Sequence, residues 1–302
     1  MITIRPALPE ELPQLKDLWR KCFGDPSAYV DIFFQRFCSL DQVLVVDDEG
    51  EVDSMAAMLP GALALPDGQE IPVGYVYALA TNPYMQGKGH ARQLLKYADE
   101  FLRQRGDKAM VLVPASPSLH RFFETVGMDE CFATRKVEFL TSALTGDTGG
   151  GVMTPISPQE YNQIRESYLK DTFHMTYTDQ MITFQQIGSH LAYGDLYKLE
   201  IDGVVGCAAI EYVQKRRLLA KELLIPVEKM GKAVETIAKE MEASRYHIRT
   251  PAFWEGLSGS YCQAFGMIKW YDNADTAHRC KIGQKPLVAA FTNYRNLLSC
   301  QP

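Results

Sequence analysis

Several signatures of common protein classes are missing from this 302-residue sequence. Its seven cysteines are scattered and form no CxxC pair, so neither a zinc ribbon nor a thioredoxin-like redox pair is predicted. The six histidines form no HExxH string or other ligand spacing, and we expect no metal site. The odd number and wide spacing of the cysteines favour reduced thiols in a cytoplasmic protein.

The sequence also has no hydrophobic run long enough to cross a membrane. Its longest apolar stretch, MAAMLPGALALP, is short and interrupted by Pro60, which favours a buried strand and turn. Charged residues occur throughout the N-terminal segment MITIRPALPEELPQLKDLW, where a signal peptide would need an apolar core. We therefore expect neither export by that route nor a membrane-spanning segment.

The charge balance disfavours anionic partners. A formal net charge of −6 gives no electrostatic reason to bind nucleic acid or an acidic membrane surface. The same balance mildly favours a cationic substrate.

The sequence predicts two copies of one α/β unit, separated by a glycine-rich linker at residues 141–152. Matching segments follow the same order in both halves and predict strand–turn–helix, hairpin, helix–strand, and a helix closed by glycine. The pairs are IRPALPEELPQLKDLW with MTPISPQEYNQIRESYL, LVVDDEGEVDSMAAML with KLEIDGVVGCAAIE, ARQLLKYADEFLRQRGDKAMVLVPA with AVETIAKEMEASRYHIRTPA, and SLHRFFETVGM with GSYCQAFGM. We predict a first domain over 1–140 and a degenerate copy over 153–302.

A glycine loop in the first half, QGKGHAR at residues 86–92, predicts an anion site. It lies between an apolar strand and a long amphipathic helix, whose first N–H groups and positive end attract phosphate. No Walker string GxxxxGK[ST] occurs in the sequence. A dinucleotide fingerprint would obtain its first glycines from Gly87 and Gly89, but Arg92 stands where the third small residue belongs.

The loop resembles the coenzyme A loop of the GCN5-related N-acetyltransferase (GNAT) family, through Gln86, Gly89 and Ala91 at that family's spacing. The order of elements over 1–140 is also similar to that family. The resemblance implies an α/β protein of two tandem GNAT-like domains, each a mixed, mostly antiparallel sheet flanked by helices. It is similar to Eis-like acetyltransferases without their sterol-carrier-like domain.

The resemblance also implies a binding site for acetyl-CoA or another short acyl-CoA, with no metal. The end of the strand before the loop would pair with the pantetheine arm, and the loop would hold the pyrophosphate. The implied cofactor-binding residues are Leu79, Ala80, Thr81, Gln86, Gly87, Lys88, Gly89, His90, Ala91, Arg92, Ser116 and Phe123.

The usual catalytic groups of the family are missing. Its common strand glutamate matches Tyr77 here, and its common tyrosine matches Phe123. Tyr77 and His120 are therefore the candidate catalytic residues, with Tyr75 nearby, although a core role is the alternative for each tyrosine and a surface position for His120. Ser116 is equally explained as a helix cap that lines the groove.

The predicted function is acyl-CoA-dependent N-acyltransfer, with acetyl-CoA as donor and the primary amine of a small molecule or peptide as acceptor. The alternatives are a non-catalytic acyl-CoA-binding module and a Fem-like aminoacyl transferase, which would need charged tRNA. The net negative charge of the chain disfavours tRNA binding and therefore the aminoacyl transferase alternative. In the second half, the counterpart loop has Glu228 where an anion should bind, so CoA binding is expected only in the first. The sequence does not specify the amine or the oligomeric state.

Overall fold

The computed structural model of the chain describes residues 2–146 and 150–271. In the first half the elements are β1 (Ile2–Pro6), α1 (Leu12–Phe23), α2 (Ser27–Ile32), β2 (Val43–Asp48), β3 (Glu51–Ala64), β4 (Glu70–Thr81), α3 (His90–Arg105), β5 (Ala109–Leu112), α4 (Pro117–Glu124) and β6 (Asp129–Leu140). In the second half they are β7 (Val152–Pro155), α5 (Pro158–Leu169), β8 (His174–Thr176), α6 (Asp179–Leu191), β9 (Asp195–Ile201), β10 (Val204–Gln214), β11 (Arg217–Leu224), α7 (Val227–Glu240), β12 (Arg245–Pro251) and β13 (Tyr261–Trp270).

Helix α3 shows why the local sequence folds as predicted. Its apolar side chains recur at helical spacing, and Leu94, Ala98 and Leu102 are fully buried on one face. The helix ends at Gly106, whose φ of 98° is the left-handed conformation that glycine adopts without strain. The result is a helix that packs on the sheet and holds its N-terminus at the glycine loop.

One continuous sheet runs through both halves, in the order β1-β2-β3-β4-β5-β13-β6-β12-β11-β10-β9-β7, and β8 pairs with β3. Neighbours are antiparallel except β4 with β5 and β11 with β12. Each of these parallel pairs is joined by a crossover helix, α3 in the first half and α7 in the second. The predicted fold class, two mixed and mostly antiparallel units flanked by helices, is confirmed.

The two halves exchange their last strands. Strand β13 of the second half lies between β5 and β6 of the first, and β6 in turn pairs with β12. The predicted helix over GSYCQAFGM is therefore wrong, because Tyr261–Trp270 is a strand. A side chain at Gly266 would come within 3.1 Å of Phe132 and 3.3 Å of the Leu112 carbonyl, so this glycine permits close strand packing rather than ending a helix.

The division of the chain into domains at 141–152 remains a prediction, and strand exchange means that the sheet crosses that division. Residues 147–149 of the predicted linker and 272–302 of the predicted second domain lie outside the described residues. Within the described part, no helix is long and apolar enough to cross a membrane.

Candidate active site

A cavity of about 390 Å³ opens where β4 and β5 separate. The two strands pair only between Val73–Tyr75 and Ala109–Val111, and β4 then continues alone to Thr81. The walls are mainly apolar: Trp19, Phe23, Asp25, Tyr75, Val76, Tyr77, Ala78, Leu79, Thr81, Gln86, Ala91, Leu112, Val113, Ala115, Leu119, Phe122 and Phe123. A groove of this shape suits a long, thin and largely apolar ligand.

A bulge in β4 lies in the wall of this cavity. Tyr77 pairs with Ala57 and Ala80 with Met55, so two residues of β4 stand opposite one residue of β3. Ala78, one of the two, has a φ of 52°. The left-handed conformation costs a residue with a Cβ about 1–2 kcal/mol, and such strain concentrates at functional sites.

The glycine loop borders the mouth of the cavity. Gly87 and Gly89 have φ values of 81° and 85°, and Gly89 is the N-cap of α3. A side chain at Gly87 would meet nothing within 4 Å, and one at Gly89 would meet only the Gln93 amide at 3.9 Å. The loop therefore faces open space at the positive end of a helix, where a pyrophosphate fits.

Five of the twelve predicted cofactor-binding residues line the cavity: Leu79, Thr81, Gln86, Ala91 and Phe123. Ala80 is buried in β4, and Ser116 is the N-cap of α4 with its hydroxyl 2.9 Å from that of Ser118. The exposed Lys88 ammonium lies 3.2 Å from Met85 Sδ.

The side chains of His90 and Arg92 lie against the protein rather than in the loop: His90 is buried, and Arg92 is hydrogen-bonded to Thr125. His90 is buried, and its Nδ1 lies 3.6 Å from Oδ2 of the buried Asp53. Arg92 donates to the carbonyl and the hydroxyl of Thr125, each at 3.0 Å. Arg92 thus ties the start of α3 to Thr125, and an anion at the loop would meet backbone N–H groups and Lys88 first.

The candidate catalytic residues are placed differently from each other. Tyr77 lines the cavity, whereas His120 is not among the lining residues of the described chain, and its Nδ1 lies 3.1 Å from Oε1 of Glu130 on β6. The Tyr77 and Tyr29 hydroxyls are 2.7 Å apart. Burial raises the pKa of Tyr77 well above its ordinary range, so its phenol stays protonated at neutral pH. Tyr77 is thus suited to hold a group by hydrogen bonding rather than to remove a proton.

Sequence reasoning missed a carboxyl group in the cavity wall. Asp25 is 6% exposed, and its Oδ2 accepts a hydrogen bond of 2.8 Å from the indole N–H of Trp19. Gly24, with a φ of 66°, closes α1 and reverses the chain so that Asp25 turns inward. The Gly-Asp-Pro string signals a turn, but its inward direction depends on packing against Trp19.

In the second half, the predicted counterpart of the glycine loop is helical. Helix α7 begins at Val227, so Gly231 lies inside it. The Lys229 ammonium is 3.0 Å from Asp202 Oδ2, rather than paired with Glu228. This segment offers no extended loop of backbone N–H groups like that of the first half.

Residues 3–125 match the family model for the acetyltransferase (GNAT) domain. A search among curated proteins gave no significant match.

Solved structures show the same fold over nearly the whole chain. A GCN5-related N-acetyltransferase from Anabaena variabilis is 15% identical, with a TM-score of 0.68 over 89% of this chain and 72% of that one. Eis1 from Mycobacterium abscessus is 12% identical, with a TM-score of 0.64 over 89% and 73%. A tandem GNAT protein from the clavulanic acid biosynthesis pathway is 11% identical, with a TM-score of 0.51 over 91% and 100%. The predicted resemblance to tandem and Eis-like GNAT proteins is confirmed.

The cavity lies entirely within the segment that matches the family model, since all its lining residues fall between Trp19 and Phe123. The match to this model supports an acyl-CoA-dependent transferase. The second half contributes β13 beside β5 and covers part of the first half with α6.

Proposed function

We propose that the GNAT domain transfers an acetyl group from acetyl-CoA, or a short acyl group from a related thioester, to a primary amine by direct attack. The observation that carries the proposal is the cavity of about 390 Å³ that opens between β4 and β5 beside the glycine loop. Its walls are mainly apolar, Asp25 and Tyr77 are among its polar lining residues, and Gln86 and Ala91 of its wall flank the glycines of the loop.

The residues present fit such a thioester. Open space beside Gly87 and Gly89 leaves room for the pyrophosphate at the N-terminus of α3. The apolar walls, including Leu119 and Phe122, suit the pantetheine arm, which would pair with the backbone of β4. A backbone N–H at the Ala78 bulge would polarise the thioester carbonyl.

Asp25 is our candidate for handling the proton. An amine arrives mainly as an ammonium ion, and a carboxylate in a mostly apolar wall both holds that ion and accepts its proton. The amine nitrogen then forms a bond to the carbonyl carbon, the carbon–sulfur bond breaks, and the leaving thiolate takes up the proton that the nitrogen loses as the amide forms. The indole of Trp19 fixes the carboxyl group of Asp25, while the neutral Tyr77 hydroxyl positions the reactants.

The test is turnover of acetyl-CoA with a panel of amines, followed by loss of thioester absorbance and by product mass. A thiol reagent is unsuitable because Cys262 is a free, exposed thiol. Asp25→Asn keeps the size of the side chain and should lower turnover about 100-fold, within the usual range for general acid–base catalysis, with CoA affinity unchanged. CoA binding without turnover of any amine would instead support a non-catalytic module.

A further inference from the structure

A second, smaller cavity of about 130 Å³ lies between the two halves of the chain. The first half supplies five lining residues, Phe33, Phe37, Leu59, Pro60 and Tyr77. The second half supplies Thr178 and three residues of α6: Gln180, Met181 and Phe184. The lining is mostly apolar, with polar groups only at Tyr77, Thr178 and Gln180.

Tyr77 connects this pocket with the proposed reaction site, because it lines both cavities. Its ring centre is 5.5 Å from that of Phe33 and 6.3 Å from that of Phe184. The main cavity, which Tyr77 also lines, contains Asp25 and Trp19. A ligand in the pocket would therefore contact the side chain that borders the acyl-transfer site.

The position of α6 is fixed against the first half. Gln180 donates a hydrogen bond of 2.9 Å to the Arg36 carbonyl, and Phe184 stacks on Tyr29 with ring centres 4.9 Å apart. Tyr29 in turn shares a hydrogen bond with Tyr77. The pocket is thus built from both halves, and the second half shapes one wall of it.

The volume of the pocket and the carboxyl group in the neighbouring cavity together indicate which kind of ligand would bind. A dry, apolar cavity of about 150 Å³ is known to hold benzene, so this pocket has room for a group of about one ring. Asp25 in the neighbouring cavity supplies a carboxyl group for a cation. We propose that the acceptor is a primary amine with a ring-sized apolar body, which fills this pocket while the ammonium group faces Asp25. This proposal rests on the acetyl transfer proposed above.

The test compares 2-phenylethylamine with ethylamine as acceptors for acetyl-CoA in the full chain. Burial of the ring should give 2-phenylethylamine a kcat/KM about 10- to 100-fold higher. Met181, which is partly exposed on α6, allows a matched pair of variants. Met181→Trp fills the pocket and should reduce the preference to less than about 3-fold, whereas the similarly sized Met181→Leu should keep it.

The outcomes separate the two proposals. Equal turnover of both amines by the parent, or a preference that survives in Met181→Trp, refutes the pocket and leaves acetyl transfer standing. If neither amine is acetylated, the proposed activity fails for these acceptors. Calorimetry of 2-phenylethylamine with the CoA-bound parent then tests whether the pocket binds the ring. Binding that is lost in Met181→Trp and kept in Met181→Leu supports it, and any other pattern contradicts it. If Met181→Trp does not fold, Leu59→Phe fills the same pocket from β3.

Discussion

The anion site at Gly89 is tested by comparing two substitutions of nearly equal size, Gly89→Glu and Gly89→Gln. Both place a side chain on the N-cap of α3, where φ is 85°, and both therefore incur a strain of about 1–2 kcal/mol. Both side chains would project into the open space beside Gln93. The difference between the variants isolates one negative charge at the position where we place the pyrophosphate.

The size of that difference follows from Coulomb's law. Two negative charges about 6 Å apart repel by about 3 kcal/mol at an effective dielectric constant of about 20. Because the loop is exposed, salt and side-chain mobility reduce the repulsion to about 1–2 kcal/mol. Gly89→Glu should therefore bind CoA about 5- to 30-fold more weakly than Gly89→Gln.

Isothermal calorimetry with CoA measures both affinities, and unfolding without ligand checks that both variants remain folded. The gap between the two variants should shrink as salt is raised, since the Debye length falls from about 10 Å at 0.1 M to about 3 Å at 1 M. Equal affinities of the two variants at low salt would refute the anion site at this loop. So would a gap that does not respond to salt.

Three further predictions concern other parts of the chain. Tyr77→Phe removes a hydroxyl beside the proposed reaction site and should lower turnover about 10-fold while CoA affinity stays within about twofold; unchanged turnover would leave Tyr77 as a core residue. Calorimetric titration should give one CoA per chain, bound more weakly in Gly89→Glu and with unchanged affinity in Gly231→Glu; two sites per chain would contradict this. Hydrogen bonding from Arg5 lowers the pKa of Glu11 below its ordinary value of 4.5. The ion pair therefore stabilises the fold fully at pH values above 4.5, and this stabilisation is lost as the pH falls through the lowered pKa of Glu11. Denaturant unfolding of Glu11→Gln should show a loss of about 1–2 kcal/mol at pH 7 that vanishes at low pH; a loss independent of pH would show that the charge is irrelevant.

The local parts of the site were predictable from sequence. The apolar strand before the loop, the glycines and the amphipathic helix all follow from short-range patterns, and the structure has them as β4, a loop with left-handed Gly87 and Gly89, and α3. These features depend on backbone conformation and helical periodicity, which neighbouring residues determine.

The features that sequence reasoning missed or predicted wrongly depend on contacts between residues far apart in the chain. GSYCQAFGM resembles a helix that ends in glycine, yet it forms β13 because its partners are β5 and β6, far away in the chain. Asp25 is held in the cavity wall by the hydrogen bond from the Trp19 indole, a contact that the local turn pattern does not reveal. The helical start of α7 likewise depends on its packing and on the pairing of Lys229 with Asp202. Tertiary context decides such cases over local propensity.

Because β13 pairs with β5, the sheet of the first half stays incomplete until much of the second half has been synthesised. Strand β5 receives one of its two neighbours, β13, only after the chain has been made as far as Trp270. Until then β5 and β6 have open edges on the ribosome, and pairing between such distant segments is intrinsically slow. A chain released after the first half would hold every residue that lines the main cavity but a sheet with a missing strand. The acetyl transfer proposed above would then begin only after β13 has been made and has paired with β5.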